Sequence, residues 1–247
     1  MGSFETIDGA SIAASFARLE APPRDEKQLA WQPILRRIAA MPHEEPNFVQ
    51  CIAERIFGAV NLLVTLPIMI VLAILIRLDS PGPILFRQWR VGRNGRLFRF
   101  TKFRTYFHDA RERFPELYAY NYTPDQVETL QFKVPDDPRA TRIGRWLRES
   151  TLDELPNFWN VVTGEMRLVG PRPEIPEMLP YYSQEELKIF TVPPGITGPA
   201  QVGGRGLLTF KATNKLNLDY IATRSLTQDF SLVAKTILKV ITRHGAF

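Results

Sequence analysis

Ile56-Phe57-Gly58-Ala59-Val60-Asn61-Leu62-Leu63-Val64-Thr65-Leu66-Pro67-Ile68-Met69-Ile70-Val71-Leu72-Ala73-Ile74-Leu75-Ile76 decides the fold. The run carries no charge over about 21 residues, long enough to cross a bilayer as a helix. It is apolar on every side, whereas the core helix of a soluble domain shows one apolar stripe. Three readings compete: a helix that spans, a buried core helix, which this all-round apolarity and length fit least, and a re-entrant helix that returns to the face it came from. Pro67 lies near the centre, removes a backbone N–H and crowds the preceding turn, so it predicts a kink. Thr65 is placed to take up a freed carbonyl with its hydroxyl. Asn61 prefers an interface or a partner.

The flanks bear on the choice. Arg36, Arg37 and Arg55 precede the run; Arg77, Arg87, Arg90, Arg93, Arg96 and Arg99 follow it. Basic residues mark the cytoplasmic side of a membrane. A single crossing would put one basic flank on the wrong side, and a return at Pro67 removes the conflict. Residues 1–47 read as a flexible leader, broken by Pro22, Pro23, Pro33, Pro42 and Pro46, with short helices near 10–20 and 27–40. Its acidic residues and lack of an apolar core do not fit a signal peptide.

The chain has 247 residues, 45% of them hydrophobic, enough for one domain or two small ones. A net charge of +5 points to an anionic partner: a membrane surface, a nucleic acid or a phosphorylated substrate. Cys51 is the only cysteine, which excludes an intramolecular disulfide. The three histidines (His43, His108 and His244) are scattered and do not read as a zinc site. There is no Walker A loop and no dinucleotide-binding glycine fingerprint.

After the apolar run, Asp79-Ser80-Pro81-Gly82-Pro83 is a turn. Asn94-Gly95 between Ile84-Leu85-Phe86 and Leu97-Phe98-Arg99-Phe100 predicts a β-hairpin. In Lys102-Phe103-Arg104-Thr105, strand alternation would put Lys102 and Arg104 on one face, either solvated or offered to phosphate. Residues 108–130 and 174–190 read as helices, and Arg142–Arg148 as a short basic one. Pro193–Pro199 reads as an irregular loop. Phe230, Val233, Ala234, Ile237, Leu238 and Ile241 form one face of an amphipathic helix, with Lys235, Lys239 and Arg243 interleaved. That face suits a core or an anionic lipid surface.

The chemistry concentrates between Arg148 and Glu174. Asp153 and Glu154 stand side by side, five residues after Arg148, and Arg172 follows between two prolines. A carboxylate can hold a divalent metal or attack phosphorus, and guanidinium groups neutralise phosphate oxygens. Read alone, Thr151-x-x-Glu154 is also a capping box that would make Glu154 a helix cap. In both readings the acids sit at a helix start, where the backbone favours negative charge.

Five segments in one order resemble the bacterial sugar transferases, the monotopic phosphoglycosyl transferases. They are Asp79–Pro83, Lys102–Thr105, Leu152–Pro156, Val169–Glu174 and Pro194–Val202, and the likeness covers residues 48–245. It implies an α+β fold: a Pro67-kinked re-entrant membrane helix over 48–78 and a small, mostly helical catalytic domain over 79–247. That domain would carry a β-hairpin and interfacial amphipathic helices, and would lie on the cytoplasmic face of the bacterial inner membrane. The implied reaction moves a sugar 1-phosphate from a nucleoside diphosphate sugar to undecaprenyl phosphate, releasing a nucleoside monophosphate. In that scheme Asp153 is the nucleophile and Mg2+ ligand, and Glu154 its catalytic neighbour. Arg148 and Arg172 bind phosphate oxygens, assisted by Lys102 and Arg104.

Three motifs depart from the family pattern. Leu66 precedes Pro67 where serine is usual, Gly164-Glu165-Met166-Arg167 replaces Gly-Asp-Met-Ser, and Gly203 replaces asparagine. The latter two bear on substrate identity more than on reaction class. The implied partners are the sugar nucleotide, undecaprenyl phosphate and inner-membrane lipids, with no nucleic acid and with a homo-oligomer left open. The rival reading is a membrane-anchored, non-catalytic scaffold of polysaccharide assembly.

Overall fold

The computed structural model describes residues 26–43, 45, 47–131, 136–204 and 207–242. The expected helix near 10–20, Arg243 and His244 lie outside them. The architecture is α+β, with one long apolar helix set against a small mixed domain.

Helix α1 (Glu26–Ala39) forms where the short helix near 27–40 was expected. Trp31 and Ile38 are buried against Val91, Leu179, Leu187 and Phe190. Helix α2 (Phe48–Asp79) is 32 residues long and starts where the Asn47 side chain accepts from Gln50 N. The helix continues through Pro67 without a break. Thr65 Oγ1 donates to Asn61 O at 2.7 Å, not to the Leu63 carbonyl that Pro67 leaves without its partner. Asn61 Oδ1 is enclosed and finds no hydrogen-bond partner among the described residues. The middle of α2 is bare: Leu63 is 72% and Val71 56% exposed. A core-helix reading fails on that exposure.

The hairpin forms as read. Strands β1 (Leu85–Val91) and β2 (Leu97–Phe103) pair antiparallel from Leu85↔Phe103 to Val91↔Leu97. Asn94 (φ 55°) and Gly95 (φ 72°) turn the chain in the left-handed region. A Cβ on Gly95 would sit 2.9 Å from Leu35 O, so α1 packs directly on the turn.

Two expected helices break up. Residues 108–130 form α3 (Ala110–Arg113), a 3-10 turn at Pro115–Tyr118 and α4 (Pro124–Thr129). Pro115 and Pro124 each start a new element because neither can donate to a preceding turn. Residues 174–190 become 3-10 segments, Pro176–Tyr181 and Glu186–Thr191, with Pro180 inside the first.

Helix α5 (Arg142–Ser150) is capped by the Thr141 side chain and leads into a 3-10 segment at Leu152–Asn157. Helix α6 (Phe158–Thr163) follows. Strands β3 (Arg167–Val169) and β4 (Gly195–Thr197) pair parallel, so part of the expected 193–199 loop is strand. A Cβ on Gly195 would collide with Gly170 N, and glycine permits that approach. The chain closes with α7 (Pro199–Gly203), α8 (Phe210–Thr223) and α9 (Leu226–Thr242). On α9, Phe230, Ile237 and Leu238 are exposed, while Leu232 is buried with Val169 and Tyr220.

One cluster positions the site. Leu72 and Ile76 of α2 pack with Phe103 of β2, Leu147 of α5, and Leu152 and Leu155 of the 3-10 segment. The hairpin, the basic helix and the acidic segment are thereby fixed against the long apolar helix.

Candidate active site

Asp153, Glu154, Lys102 and Arg172 meet at the Leu152–Asn157 segment. Thr151 ends α5 at φ 63°, an uncommon conformation for a β-branched residue, and turns the chain sharply. The segment is 3-10, with about three residues per turn, so its side chains fall into rows. Leu152 and Leu155 face α2; Asp153 and Pro156 are buried on another side. Thr151 makes no side-chain cap bond, so the expected capping box does not form. The Glu154 carboxylate turns to Arg172 instead, with Nη2 2.7 Å from Oε1.

Lys102 comes from β2, opposite Phe86. Its Nζ lies 3.5 Å from Asp153 Oδ2 and 5.9 Å from the Phe86 ring centroid. Asp153 is 5% exposed, and this long contact is the one partner the described residues give its carboxylate. Burial pushes the Asp153 carboxyl above its ordinary value against the pull of Lys102. Burial likewise pushes Lys102 below its own. At Glu154 burial also works upward, but the Arg172 charge and hydrogen bond outweigh it and the group falls below its ordinary value. The two neighbouring acids thus shift in opposite directions, burial prevailing at Asp153 and Arg172 at Glu154.

Arg172 projects from the Pro-Arg-Pro loop with 41% of its side chain exposed, 5.8 Å from the Phe100 ring centroid. Arg90 stands behind the loop. It donates to Pro173 O at 2.9 Å, lies 3.6 Å from Glu174 Oε1 and 5.4 Å from the Phe100 centroid. Val91 N donates to Glu174 O at 2.8 Å, which ties the loop to β1. In the sequence Arg90 is one of many flanking charges. Its partners in the loop, Pro173 and Glu174, lie more than eighty positions away, and no local pattern announces them.

Arg148 sits in an adjoining cluster. It donates to the Tyr106 hydroxyl and to Asp137 Oδ2, the latter at 3.3 Å, and its charge reaches Lys102. Tyr106, Asp137 and Arg139 were not among the sequence candidates. Asp137-Pro138-Arg139 does hold the signal, a carboxylate and a guanidinium two residues apart.

Arg104 goes elsewhere. Strand β2 ends at Phe103, so the alternation that would align Lys102 with Arg104 stops. Arg104 is buried and donates to Pro83 O (2.6 Å), Ser80 Oγ (2.7 Å) and Ser80 O (2.9 Å). Those bonds lock the hairpin to the end of α2, and its expected phosphate contact is replaced by this structural one.

Among the described residues no three His, Cys, Asp or Glu side chains gather as a metal cluster. The lightly partnered Asp153 oxygens still suit Mg2+, which commonly takes one or two carboxylates and completes its shell with substrate phosphates and water. Glu154 is committed to Arg172, so Asp153 is the fitting protein ligand.

Residues 46–243 match the family described as Bacterial sugar transferase, and the chain belongs to that family. Galactosyl transferase CpsE of Streptococcus agalactiae is 39% identical over 205 residues, covering 81% of this chain and 44% of that protein. UDP-glucose:undecaprenyl-phosphate glucose-1-phosphate transferase of Xanthomonas campestris is 35% identical, covering 80% of this chain and 40% of its own length. Exopolysaccharide production protein ExoY of Rhizobium meliloti is 32% identical over 77% of this chain and 84% of its own length. The chain spans less than half the length of the first two relatives.

Proposed function

We propose that the protein transfers a sugar 1-phosphate from a UDP-sugar to undecaprenyl phosphate through a covalent intermediate on Asp153. The observation that carries this reading is the buried Asp153 carboxylate. One cation stands 3.5 Å away, and the neighbouring acid is bound to an exposed arginine. A buried carboxylate with so little hydrogen bonding keeps lone pairs for an incoming electrophile. The names of the relatives, with UDP-glucose and undecaprenyl phosphate among their substrates, agree with the site's cationic lining.

In the first step an Asp153 oxygen bonds to the sugar-bearing phosphorus. The bond from that phosphorus to the bridging diphosphate oxygen breaks, and uridine monophosphate leaves with the electron pair. In the second, a phosphate oxygen of the lipid bonds to the same phosphorus and the Asp153 carboxylate departs intact. Arg172 and Arg148 neutralise phosphate oxygens, and Lys102 pulls the Asp153 carboxyl toward its ionised form against burial. Mg2+ bound at Asp153 would supply Lewis-acid neutralisation of the diphosphate.

The way α2 is held bears on membrane placement. Near its start Glu54 pairs with Arg167 of β3 at 2.5 Å. At its end Asp79 accepts from Ile143 N at 3.1 Å, and Arg104 holds Ser80. Both ends are tied to one folded unit, whereas a spanning helix would put its ends on opposite sides of the bilayer. This supports a helix whose two ends stay on one face, with the exposed apolar middle in one leaflet of the inner membrane and the domain on its cytoplasmic face. The exposed apolar positions of α9 would rest on the same lipid surface.

The test uses purified protein in lipid nanodiscs with undecaprenyl phosphate, Mg2+ and a panel of UDP-sugars, scored by uridine monophosphate release. Release with at least one sugar, lost in Asp153→Asn, is the expected result. Undiminished release from the variant rejects the nucleophile, and no release with any sugar nucleotide favours the scaffold reading.

A further inference from the structure

We propose that Tyr106 and Asp137 are positioning residues for Arg148, presenting one edge of its guanidinium to a substrate phosphate. The proposal rests on the transferase reading for the identity of that phosphate; the geometry of the cluster is independent of it.

The cluster holds two arginines around one carboxylate, and they are used differently. Arg139 is committed: Nε and Nη2 reach Asp137 at 2.8 Å each, and Nη1 reaches Leu117 O at 3.5 Å. Arg148 gives only Nη1, to Tyr106 Oη and Asp137 Oδ2. Among the described residues its Nε and Nη2 meet no acceptor, and 24% of its side chain is exposed. Nε and Nη2 form the fork that binds carboxylate or phosphate through two parallel hydrogen bonds. Arg148 is therefore anchored by one corner and open along the edge suited to an oxyanion.

The proton bookkeeping at Tyr106 has one solution. Arginine only donates, and an ionised carboxylate only accepts. Burial works to raise Asp137, but its bonds from Arg139 and Tyr106 outweigh that and keep it ionised, well below the ordinary carboxylate range. Burial pushes the Tyr106 hydroxyl up to about 12, so it keeps its proton. That proton goes to Asp137 Oδ2 at 2.7 Å, and a hydroxyl lone pair takes the Arg148 N–H. The Tyr106 ring also lies under both guanidinium carbons, 4.7 Å from Arg139 and 5.0 Å from Arg148. Ring and hydroxyl together limit the swing of a side chain that would otherwise sample many rotamers.

Arg148 lies on α5 one residue after Leu147, which packs against α2, and five residues before Asp153. A guanidinium fixed there adds to the positive field at Lys102, where its charge is felt. A small swing of Arg148 would move its open edge off the phosphate without disturbing the fold.

Tyr106→Phe is the clean probe, because it removes the hydroxyl and leaves the Asp137–Arg139 pair whole. Calorimetric affinity for uridine diphosphate is measured for wild type, Tyr106→Phe, Arg148→Ala and the double variant in nanodiscs, beside monophosphate release and thermal melts. Each single change is expected to weaken binding about tenfold, the size of one charge-assisted hydrogen bond. The double variant should be no weaker than Arg148→Ala, because Tyr106 acts through Arg148. Wild-type affinity in Tyr106→Phe, or losses that multiply in the double variant, would overturn the proposal. Arg148→Lys keeps the charge and loses the fork, so full affinity in that variant would overturn it as well. A coupled binding cycle with no release by wild type would retire the transferase reading and leave the positioning intact. Release by wild type with multiplying losses would do the reverse.

Discussion

Asp137 and Asp153 are both buried aspartates beside cations, and their surroundings treat them in opposite ways. Asp137 accepts from Arg139 through both oxygens, from the Arg139 backbone, from Tyr106 and from Arg148. Asp153 has Lys102 at 3.5 Å. The carboxyl of the first is held below its ordinary range and that of the second is raised above it. A saturated carboxylate organises its neighbours and has no lone pair to spare. An unsaturated one costs stability and stays available for a bond that is not yet made. The contrast separates a structural acid from a reactive one without reference to any substrate.

The largest expected effect breaks the pair at Asp153. Asp153→Asn keeps shape and volume, so turnover should fall on the order of 10^4-fold while folding is retained. Its stability should change with pH in a way that tests the raised carboxyl directly. For wild type, the folded state holds the Asp153 proton more tightly than the unfolded state does. Stability therefore falls as pH rises from the ordinary aspartate value to the folded one, and the variant should lack that fall. Melting curves across that window decide it; an identical slope in both proteins would reject the raised carboxyl.

Asp137→Asn should act on stability first. It leaves Arg139 buried against a neutral amide, a loss of about 3–5 kcal/mol by the behaviour of broken buried pairs. The sign of the pH dependence reverses here. A depressed carboxyl contributes stability that is present above the ordinary aspartate value and is lost as pH falls toward the folded one. Denaturant titrations of wild type and variant at neutral and acid pH should converge on the acid side.

Much of this contrast was legible in the chain, and its limits have physical causes. The apolar run and the Asn94-Gly95 hairpin are local patterns, and they appear where the sequence puts them. Lys102, Asp153, Glu154 and Arg172 were named from motifs in sequence, and they meet in space. Asp137 was passed over, because its worth lies in contacts with Tyr106 and Arg148. Arg104 was misread because strand alternation applies only inside a strand, and β2 ends one residue earlier. Read alone, Glu154 was also a cap candidate, because Thr151-x-x-Glu154 fits the pattern. The positive φ at Thr151, which prevents the cap, has no signature in that motif.

Lys102→Met sharpens the comparison by taking away the one partner that the described residues give the Asp153 carboxylate. Lys102 pulls the Asp153 carboxyl down against burial, so its removal should raise that carboxyl further. The acid limb of kcat/KM should then move to higher pH, with the limb of wild type already above that of an ordinary aspartate. Rate profiles from pH 4 to 8 report the shift. A limb that stays in place would mean that Lys102 does not set the ionisation of Asp153, and the asymmetry between the two aspartates would need another cause.

The smallest effect tests support for the other acid. Glu154 depends on Arg172, the Arg172 loop is tied to β1 through Val91 and Arg90, and Val91 packs against Ile38 of α1. Helix α1 lies before residue 46, outside the segment that matches the family. Ile38 is fully buried, so Ile38→Val removes one methylene from a packed cluster and should cost about 0.5–1.5 kcal/mol. If α1 braces only the fold, Tm falls and kcat/KM is unchanged. If it also braces the loop, kcat/KM falls by a small factor at temperatures far below Tm. Arg172→Lys would then make a second Ile38→Val loss smaller, because the geometry being braced has already been relaxed.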